Sequence, residues 1–305
     1  MGKIIIVGST NTDMVVKSDR LPLPGETVVG GSFFMDPGGK GANQAVATAR
    51  LGAQTLFVTK TGNDMFGRKS FSLFENEGIG TQFVFSDPTE ASGVALIMVD
   101  EHGENSIVVA SGANAKLLPA DVEKARKEIE SSDILLMQLE IPMESVETAA
   151  KIAYDSNVKV VLNPAPAQAL PESLLACLYL VTPNEGEAEL LSGVKITDIA
   201  SAEKAARVIA SKGVKNVIIT LGSKGSFVLE GNEAYMMEAY KVKTVDTTAA
   251  GDTFNGALCV ALTEGKSIRD AVDFASKASA IGVTRMGALS SIPTRKEVDC
   301  FKIES

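Results

Sequence analysis

Apolar residues in this chain fall into short unbroken runs, separated by longer stretches in which they recur every three or four positions. The runs are Ile4–Val7, Leu56–Thr59, Ile134–Met137, Val158–Leu162, Leu178–Val181 and Val217–Thr220. Short continuous apolar runs bounded by turn residues are what strands buried on both faces look like. Between them the spacing predicts helices over Ala42–Leu51, Gly67–Glu77, Ala120–Glu130, Met143–Asp155, Glu185–Leu191, Ala202–Ser211 and Ile268–Thr284. A further helix is predicted to start near Gly251, because Phe254, Ala257, Leu258, Ala261 and Leu262 share one helical face. Strands alternating with amphipathic helices predict an α/β fold, a Rossmann-like parallel sheet with helices on both faces. Its crossovers are right-handed, and ligands gather at the carboxyl ends of its strands.

Two stretches break the alternation. Asp13–Met35 holds a Pro/Gly-rich turn (Leu21–Glu26) and then Thr27–Gly31, and Ala91–Val109 holds two apolar runs around a turn at Asp100–Glu104. Both read as antiparallel β material outside the helix-covered sheet. The expectation is one domain over residues 1–305, with a small β-sheet lid formed by approximately 13–37 and 91–110. Open edges on such a lid predict pairing of two copies into a homodimer.

Composition narrows the function. The net charge of −9 argues against general nucleic-acid binding, though a local pocket can oppose the global sign. The 3 cysteines, Cys177, Cys259 and Cys300, lie far apart and form neither a disulfide framework nor a Cys-x-x-Cys metal site, which suits a reducing cytoplasm. His102 is the single histidine, so a histidine-based triad or zinc site is not expected. The first apolar run is too short for a signal peptide, and no stretch approaches a membrane span.

Candidate chemistry follows strand ends. The segment Val245-Asp246-Thr247-Thr248-Ala249-Ala250-Gly251-Asp252-Thr253-Phe254 joins what reads as a short strand to a helix. The first amides of a helix have no internal partner and attract an anion. Asp252 at that turn would serve as a base beside an anion hole, or merely as a helix cap. Gly38-Gly39-Lys40-Gly41-Ala42-Asn43 opens a helix in the same way, with Lys40 and Asn43 suited to sugar hydroxyls. Asn11 and Asp13, two apart on an extended chain, project together and could grip vicinal hydroxyls or form an Asx-turn. Glu140 ends the run that starts at Ile134. Asn184 and Glu187 have the spacing of a capping box and also suit a hydrated Mg²⁺. The turn Thr220-Leu221-Gly222-Ser223-Lys224-Gly225 suits close approach of a nucleotide or a plain hairpin. Neither a Walker A loop nor a G-x-G-x-x-G fingerprint occurs.

Taken together, these segments resemble the ribokinase (pfkB) family of carbohydrate kinases, over essentially the whole chain. The resemblance rests on Gly38–Asn43 and, with higher specificity, on Asp246–Ala257. Asn11-x-Asp13 and Glu140 bring it nearer the ribokinase branch than the fructokinase or adenosine kinase branches. It implies ATP-dependent phosphorylation of D-ribose at its 5-hydroxyl. Asp252 would be the base, and the amides of Ala249, Ala250, Gly251 and Asp252 the anion hole. Asn11, Asp13, Gly39, Lys40, Asn43 and Glu140 would hold the sugar together with Asp252. Asn184, Thr220, Gly222, Ser223, Gly225, Gly251 and Ser276 would hold ATP, and Asn184 with Glu187 would organise Mg²⁺ through water. A K⁺ beside the anion hole would be held by Asp246, Thr248, Gly282, Arg285, Gly287 and Ser291, mostly through carbonyls. Arg285-Met286-Gly287 also reads as a plain helix C-terminal turn. The family form at the anion hole is G-A-G-D. Ala249 replaces its first Gly, so a negative φ is expected there.

Other readings change the acceptor to deoxyribose, fructose or a nucleoside. The low aromatic content, 5% with 0 Trp, weakens the nucleoside option. A catalytically dead sugar or nucleotide sensor should have lost Asp252. An NAD-dependent oxidoreductase should carry the missing fingerprint.

Overall fold

Ile4 and Ile6 point to one side of the first strand, Ile5 and Val7 to the other, and all four are 0% exposed. Covering both sides of such a strand dictates the architecture. The computed structural model describes residues 2–102 and 104–302. Its first half contains β1 (Lys3–Val7), β2 (Asn11–Lys17), β3 (Ser32–Gly38), α1 (Lys40–Arg50), β4 (Gln54–Gly62), α2 (Met65–Asn76), β5 (Val84–Asp87), β6 (Gly93–Val99), β7 (Asn105–Ala110), α3 (Pro119–Lys124), α4 (Arg126–Glu130), β8 (Ile134–Met137) and α5 (Met143–Asp155). There follow β9 (Lys159–Leu162), α6 (Glu172–Leu175), β10 (Leu180–Val181), α7 (Glu185–Ser192), α8 (Ile199–Ser211), β11 (Asn216–Thr220), β12 (Ser226–Glu230), β13 (Glu233–Met237), α9 (Ala250–Thr263), α10 (Ile268–Gly282) and α11 (Arg295–Asp299).

The main sheet has 9 strands in the order β13-β12-β11-β10-β9-β8-β1-β4-β5. Neighbours from β11 through β5 are parallel, and β12 and β13 add an antiparallel edge. One face packs Ile5, Val7, Leu135 and Met137 against Val146 and Ala150 of α5 and Ile209 of α8. The other packs Ile4, Ile6, Ile134 and Leu136 against Val46 of α1, Leu258 of α9 and Ala275 of α10. Strand order reverses beside β1, with β4 on one flank and β8 on the other. The chain leaving β1 leads to α1 on one face and that leaving β8 to α5 on the other, and a crevice opens at their carboxyl ends.

A separate sheet of 4 strands, in the order β3-β2-β6-β7, stands outside the helix layers. β2 runs antiparallel to β3 and parallel to β6, and β7 returns antiparallel to β6. Every position of β7 is exposed.

The structure departs from the sequence expectations at several points. The Ala120–Glu130 helix is broken into α3 and α4 at Ala125, which adopts ψ near 2°. α1 begins at Lys40 rather than Ala42, and α10 ends at Gly282 rather than Thr284. β5 and β13 add to the expected strands: both are partly exposed edge strands, and neither has a fully buried position to mark it as core. Most consequential, no strand precedes Asp246: residues 238–248 have no regular structure. Val245 and Asp246 both donate to the Val283 carbonyl instead (2.7 and 3.2 Å), so α10 rather than a sheet neighbour holds them. Among the described residues no helix is long and apolar enough to cross a membrane.

Candidate active site

The crevice is assembled from three chain segments. Ser9, just after β1, donates its hydroxyl to Glu140 Oε2 (2.5 Å), just after β8. The Lys40 amide at the start of α1 donates to the same oxygen (3.1 Å), and the Gly41 amide to Ser9 Oγ (3.3 Å). The glycines of Gly38–Gly41 make this junction possible. A Cβ on Gly41 would lie 2.5 Å from Ser9 N, and one on Gly39, whose φ is +91°, would lie 2.7 Å from Asn11 N. Their close approach is thus to the chain's own backbone, which aims Lys40 and Asn43 into the crevice.

Asn11 is 5% exposed, and its Oδ1 accepts from Asn114 Nδ2 (2.8 Å). Asn114 also holds both the amide and the carbonyl of Thr10 (2.9 and 3.0 Å). The Asn11 oxygen is therefore committed, and its NH₂ group is what remains for a ligand. Asp13 lies directly across the β2–β3 pair from Asp36. Burial above all, then the charges of Asp36, Glu140 and Asp252, pushes the Asp13 carboxyl up to about 7, with Lys40 pulling the other way. Burial works against the Lys40 charge, but the carboxylates of Asp252, Glu140, Glu187 and Asp13 outweigh it and hold the ammonium firmly protonated. One cation thus sits within reach of four acidic side chains brought from β2, α7, α9 and the β8 loop.

Asp252 is 5% exposed, in the first turn of α9. Its Oδ2 accepts from Asn43 Nδ2 (2.8 Å) and its Oδ1 from Gln44 Nε2 (2.9 Å). Asn43 Oδ1 is buried with no partner, an acceptor left for a donor that a ligand would bring. The helix start is open: a Cβ on Gly251 would meet nothing within 4 Å. Ala249 has φ +58° and ψ +12°, so the expected negative φ is wrong. A left-handed residue is what turns the chain from Thr248 into α9, and Ala tolerates it at a cost of about 1 kcal/mol. Of the four amides expected in the anion hole, that of Ala250 donates to the Thr247 carbonyl (3.2 Å). Among the described residues those of Ala249, Gly251 and Asp252 have no acceptor. The turn is braced by Asn255 Nδ2 on the Gly251 carbonyl (2.8 Å) and by Ser279 Oγ on the Ala250 carbonyl (3.1 Å).

Beside the turn, Asp246 accepts from the Thr248 amide and hydroxyl (2.9 and 2.6 Å) and from the Gly287 amide (2.9 Å). Burial opposes its charge, yet these bonds hold its carboxyl below the usual range. Arg285 turns its guanidinium outward to Glu297 (2.5 Å), leaving only its backbone near the turn. Ser291 is 1% exposed, and a Cβ on Gly282 would lie 3.8 Å from its carbonyl and 3.9 Å from Thr253 Oγ1. Thr253 Oγ1 is itself buried without a partner. An ionised carboxylate, an orphaned hydroxyl and backbone carbonyls are a donor set that fits a monovalent cation.

Asn184 and Glu187 form a reciprocal capping box at α7: Glu187 N to Asn184 Oδ1 is 2.8 Å, and Asn184 N to Glu187 Oε2 is 2.9 Å. Asn184 Oδ1 is thereby spent. Its NH₂ group and the second Glu187 oxygen remain, which suits contact with a metal through water. Burial raises the Glu187 carboxyl, opposed by its bond to Asn184 and by Lys40. Asn184 pairs with Thr220 across a parallel bridge, so the two segments expected around a nucleotide do meet. Gly222–Lys224 is a single 3₁₀ turn, followed by Gly225 at φ +100°, leading into the β11–β12 hairpin. Ser276 is half-buried, one turn before Ser279, and no hydrogen bond among the described residues joins it to the 220–225 turn.

Sequence reasoning passed over Gln44, Gln138 and Asn163, although they contact or support Asp252. Gln44 directly follows the Gly38–Asn43 segment, and its polarity ahead of the small, apolar run Ala45–Ala47 is the available signal. Asn114 and Asp36 carried none, since each acts through a strand pairing or loop contact invisible in the chain order.

An α/β sheet with polar hydrogen-bonding groups at its switch point, facing a helix N-terminus with a buried carboxylate, is the equipment of a phosphotransferase for small polar acceptors. The chain belongs to the pfkB family of carbohydrate kinases, whose profile matches residues 1–295. It is 48% identical over 294 residues to the ribokinase of Haemophilus influenzae, with 96% of each chain covered. Among solved structures it resembles the ribokinase of Thermotoga maritima (43% identity, TM-score 0.90, 98% of each chain). It also resembles the Arabidopsis thaliana ribokinase complexed with ribose and ATP (34% identity, TM-score 0.91, 97% of each chain).

Proposed function

We propose that this chain is a ribokinase, transferring the γ-phosphoryl of ATP to the 5-hydroxyl of D-ribose and releasing ADP. The observation that carries this reading is the Asn43–Asp252 hydrogen bond. It joins the segment suited to sugar hydroxyls to the segment suited to a phosphoryl group. Asn11, Asp13, Gly39, Lys40, Asn43 and Glu140 hold the sugar. Asp252 accepts the proton as the 5-oxygen bonds to phosphorus and the bond to ADP breaks. The free amides of Ala249, Gly251 and Asp252 face the charge on the transferring group. In a loose transition state the acceptor proton leaves late, so placement supplies most of the rate.

Asn184, Thr220, Gly222, Ser223, Gly225, Gly251 and Ser276 line the nucleotide side. Asn184 and Glu187 would hold Mg²⁺ through water, and the ion would neutralise phosphate charge. Asp246, Thr248, Gly282, Gly287, Ser291 and the Arg285 carbonyl would hold K⁺, which would supply a fixed positive charge. The small sheet acts as a lid that keeps water from competing with the sugar. Its exposed Phe33, Leu96, Ile107 and Val108 support pairing of two lids into a homodimer. A monomer in sedimentation at micromolar concentration would remove that part. Cys177, Cys259 and Cys300 are all unpaired, in keeping with a cytoplasmic location.

The test is ADP release with a panel of pentoses, 2-deoxyribose, fructose and nucleosides, with and without K⁺. Ribose should give the highest kcat/KM. Equal or better turnover of another acceptor refutes the assignment.

A further inference from the structure

We propose that Gln44 is a positioning residue for Asp252, and that Gln138 decides which end of the Gln44 amide faces the carboxylate. The proposal rests on reading Asp252 as the base.

Gln44 is 0% exposed. Its single NH₂ group serves two oxygens, Asp252 Oδ1 at 2.9 Å and Asn163 Oδ1 at 3.1 Å. Turned over, the amide would point its oxygen at both, putting acceptor against acceptor. Gln138, also 0% exposed, donates Nε2 to Gln44 Oε1 at 2.5 Å, a bond available only in the observed orientation. Gln138 leaves its own Oε1 buried without a partner, against Gly8, where any Cβ would collide with it. Leaving such an oxygen unpaired carries an uncompensated desolvation penalty, so the fold sacrifices stability to keep that nitrogen on Gln44.

Asn43 and Gln44 are neighbours on α1, yet they hold opposite oxygens of the same carboxylate. Two donors on two oxygens stop the group rotating about its Cβ–Cγ bond and fix where its remaining lone pairs point. The charges around it do not impose that direction. Lys40 on α1 attracts the carboxylate, while Asp13 on β2 and Glu187 on α7 repel it. Gln44 removes the freedom they leave. It acts through Asp252, and Gln138 acts through Gln44.

The experiment is a double-mutant cycle with the near-isosteric Gln44→Met and Gln138→Met, read as kcat and KM for the sugar and as sugar affinity by calorimetry. Gln44→Met should lower kcat about 10- to 100-fold, the size expected of a misplaced catalytic group, with KM and affinity within about threefold. Gln138→Met should lower kcat about three- to tenfold, and it should add nothing in the Gln44→Met background. Effects that multiply overturn the relay. So does a Gln44→Met enzyme with kcat within about twofold of the parent, or a loss that falls on KM alone. If Gln44→Met fails to fold, Gln138→Met decides: an unchanged kcat overturns the proposal, and a lowered kcat with intact sugar affinity supports it. Each comparison is a ratio to the parent on its best acceptor. Lack of turnover on ribose would therefore refute the sugar assignment and leave the relay to be judged separately.

Discussion

Asp13 is held at a cost, and replacing it should stabilise the protein while weakening sugar binding. Its carboxyl is raised from 3.8 to about 7, chiefly by burial, then by Asp36, Glu140 and Asp252. A raised carboxyl means the unfolded chain gives up its proton first as pH rises. Stability conferred by the protonated form is then lost between the unfolded and folded values, from about 4 to about 7. At 1.36 kcal/mol per unit, a shift of about 3 units amounts to about 4 kcal/mol once the pH is well above 7. Near pH 5 the same relation gives about 1.7 kcal/mol, so the term grows by about 2.5 kcal/mol between about pH 5 and about pH 8. Asp13→Asn abolishes it with almost no change in shape. Denaturant unfolding of both proteins at the two pH values reads the effect directly. The variant should gain about 2.5 kcal/mol relative to the parent on going from the lower to the higher pH. It should also bind sugar less tightly, having lost a carboxylate acceptor. A stability difference that is the same at both pH values would refute the reasoning, whatever its sign.

Other outcomes follow from the same geometry. Asp252→Asn should lower kcat by about 10²- to 10⁴-fold, the range for loss of a general base, while calorimetric sugar affinity stays within a few fold; near-normal turnover would remove Asp252 from that role. Ala249→Gly relieves a left-handed alanine and should raise stability by about 0.5–1 kcal/mol in thermal or denaturant unfolding, where a loss of that size would contradict the +58° φ. Arg285→Ala breaks only a half-exposed ion pair with Glu297, so stability should fall by less than about 1 kcal/mol, with the response of turnover to K⁺ preserved. Disappearance of that response would show that the guanidinium, not the backbone, matters at the loop proposed to hold K⁺.

Much of the site was legible in the chain, because its parts are local. Gly38–Asn43 announces a helix start with donors at its tip, and Asn184 with Glu187 announces a capping box, which the structure contains. Asp252 at the mouth of an apolar helical face marks a second helix start. What stayed hidden was how these parts meet. The bond from Gln44 to Asp252 spans 208 residues, and no periodicity carries that information. Local sterics point Ala249 to a negative φ, whereas bonds from Asn255 and Ser279 to the adjoining residues hold the turn in its left-handed form. The strand expected before Asp246 does not form, because an apolar Val245 says nothing of whether a partner strand lies beside it.

The sequence by itself determined the α/β class, since alternating buried runs and amphipathic helices can satisfy their backbones and bury their faces in few other ways. It also determined the chemical character of each loop, since residue type sets donors, acceptors and charge. Tertiary structure alone decided that β8 lies beside β1, which brings Glu140 to Ser9 and opens the crevice. It alone set Asp13 opposite Asp36 and turned an ordinary aspartate into one that titrates near neutrality. Burial and the Coulomb field of distant groups exist only once the chain has folded, and they govern how each carboxylate in the crevice behaves.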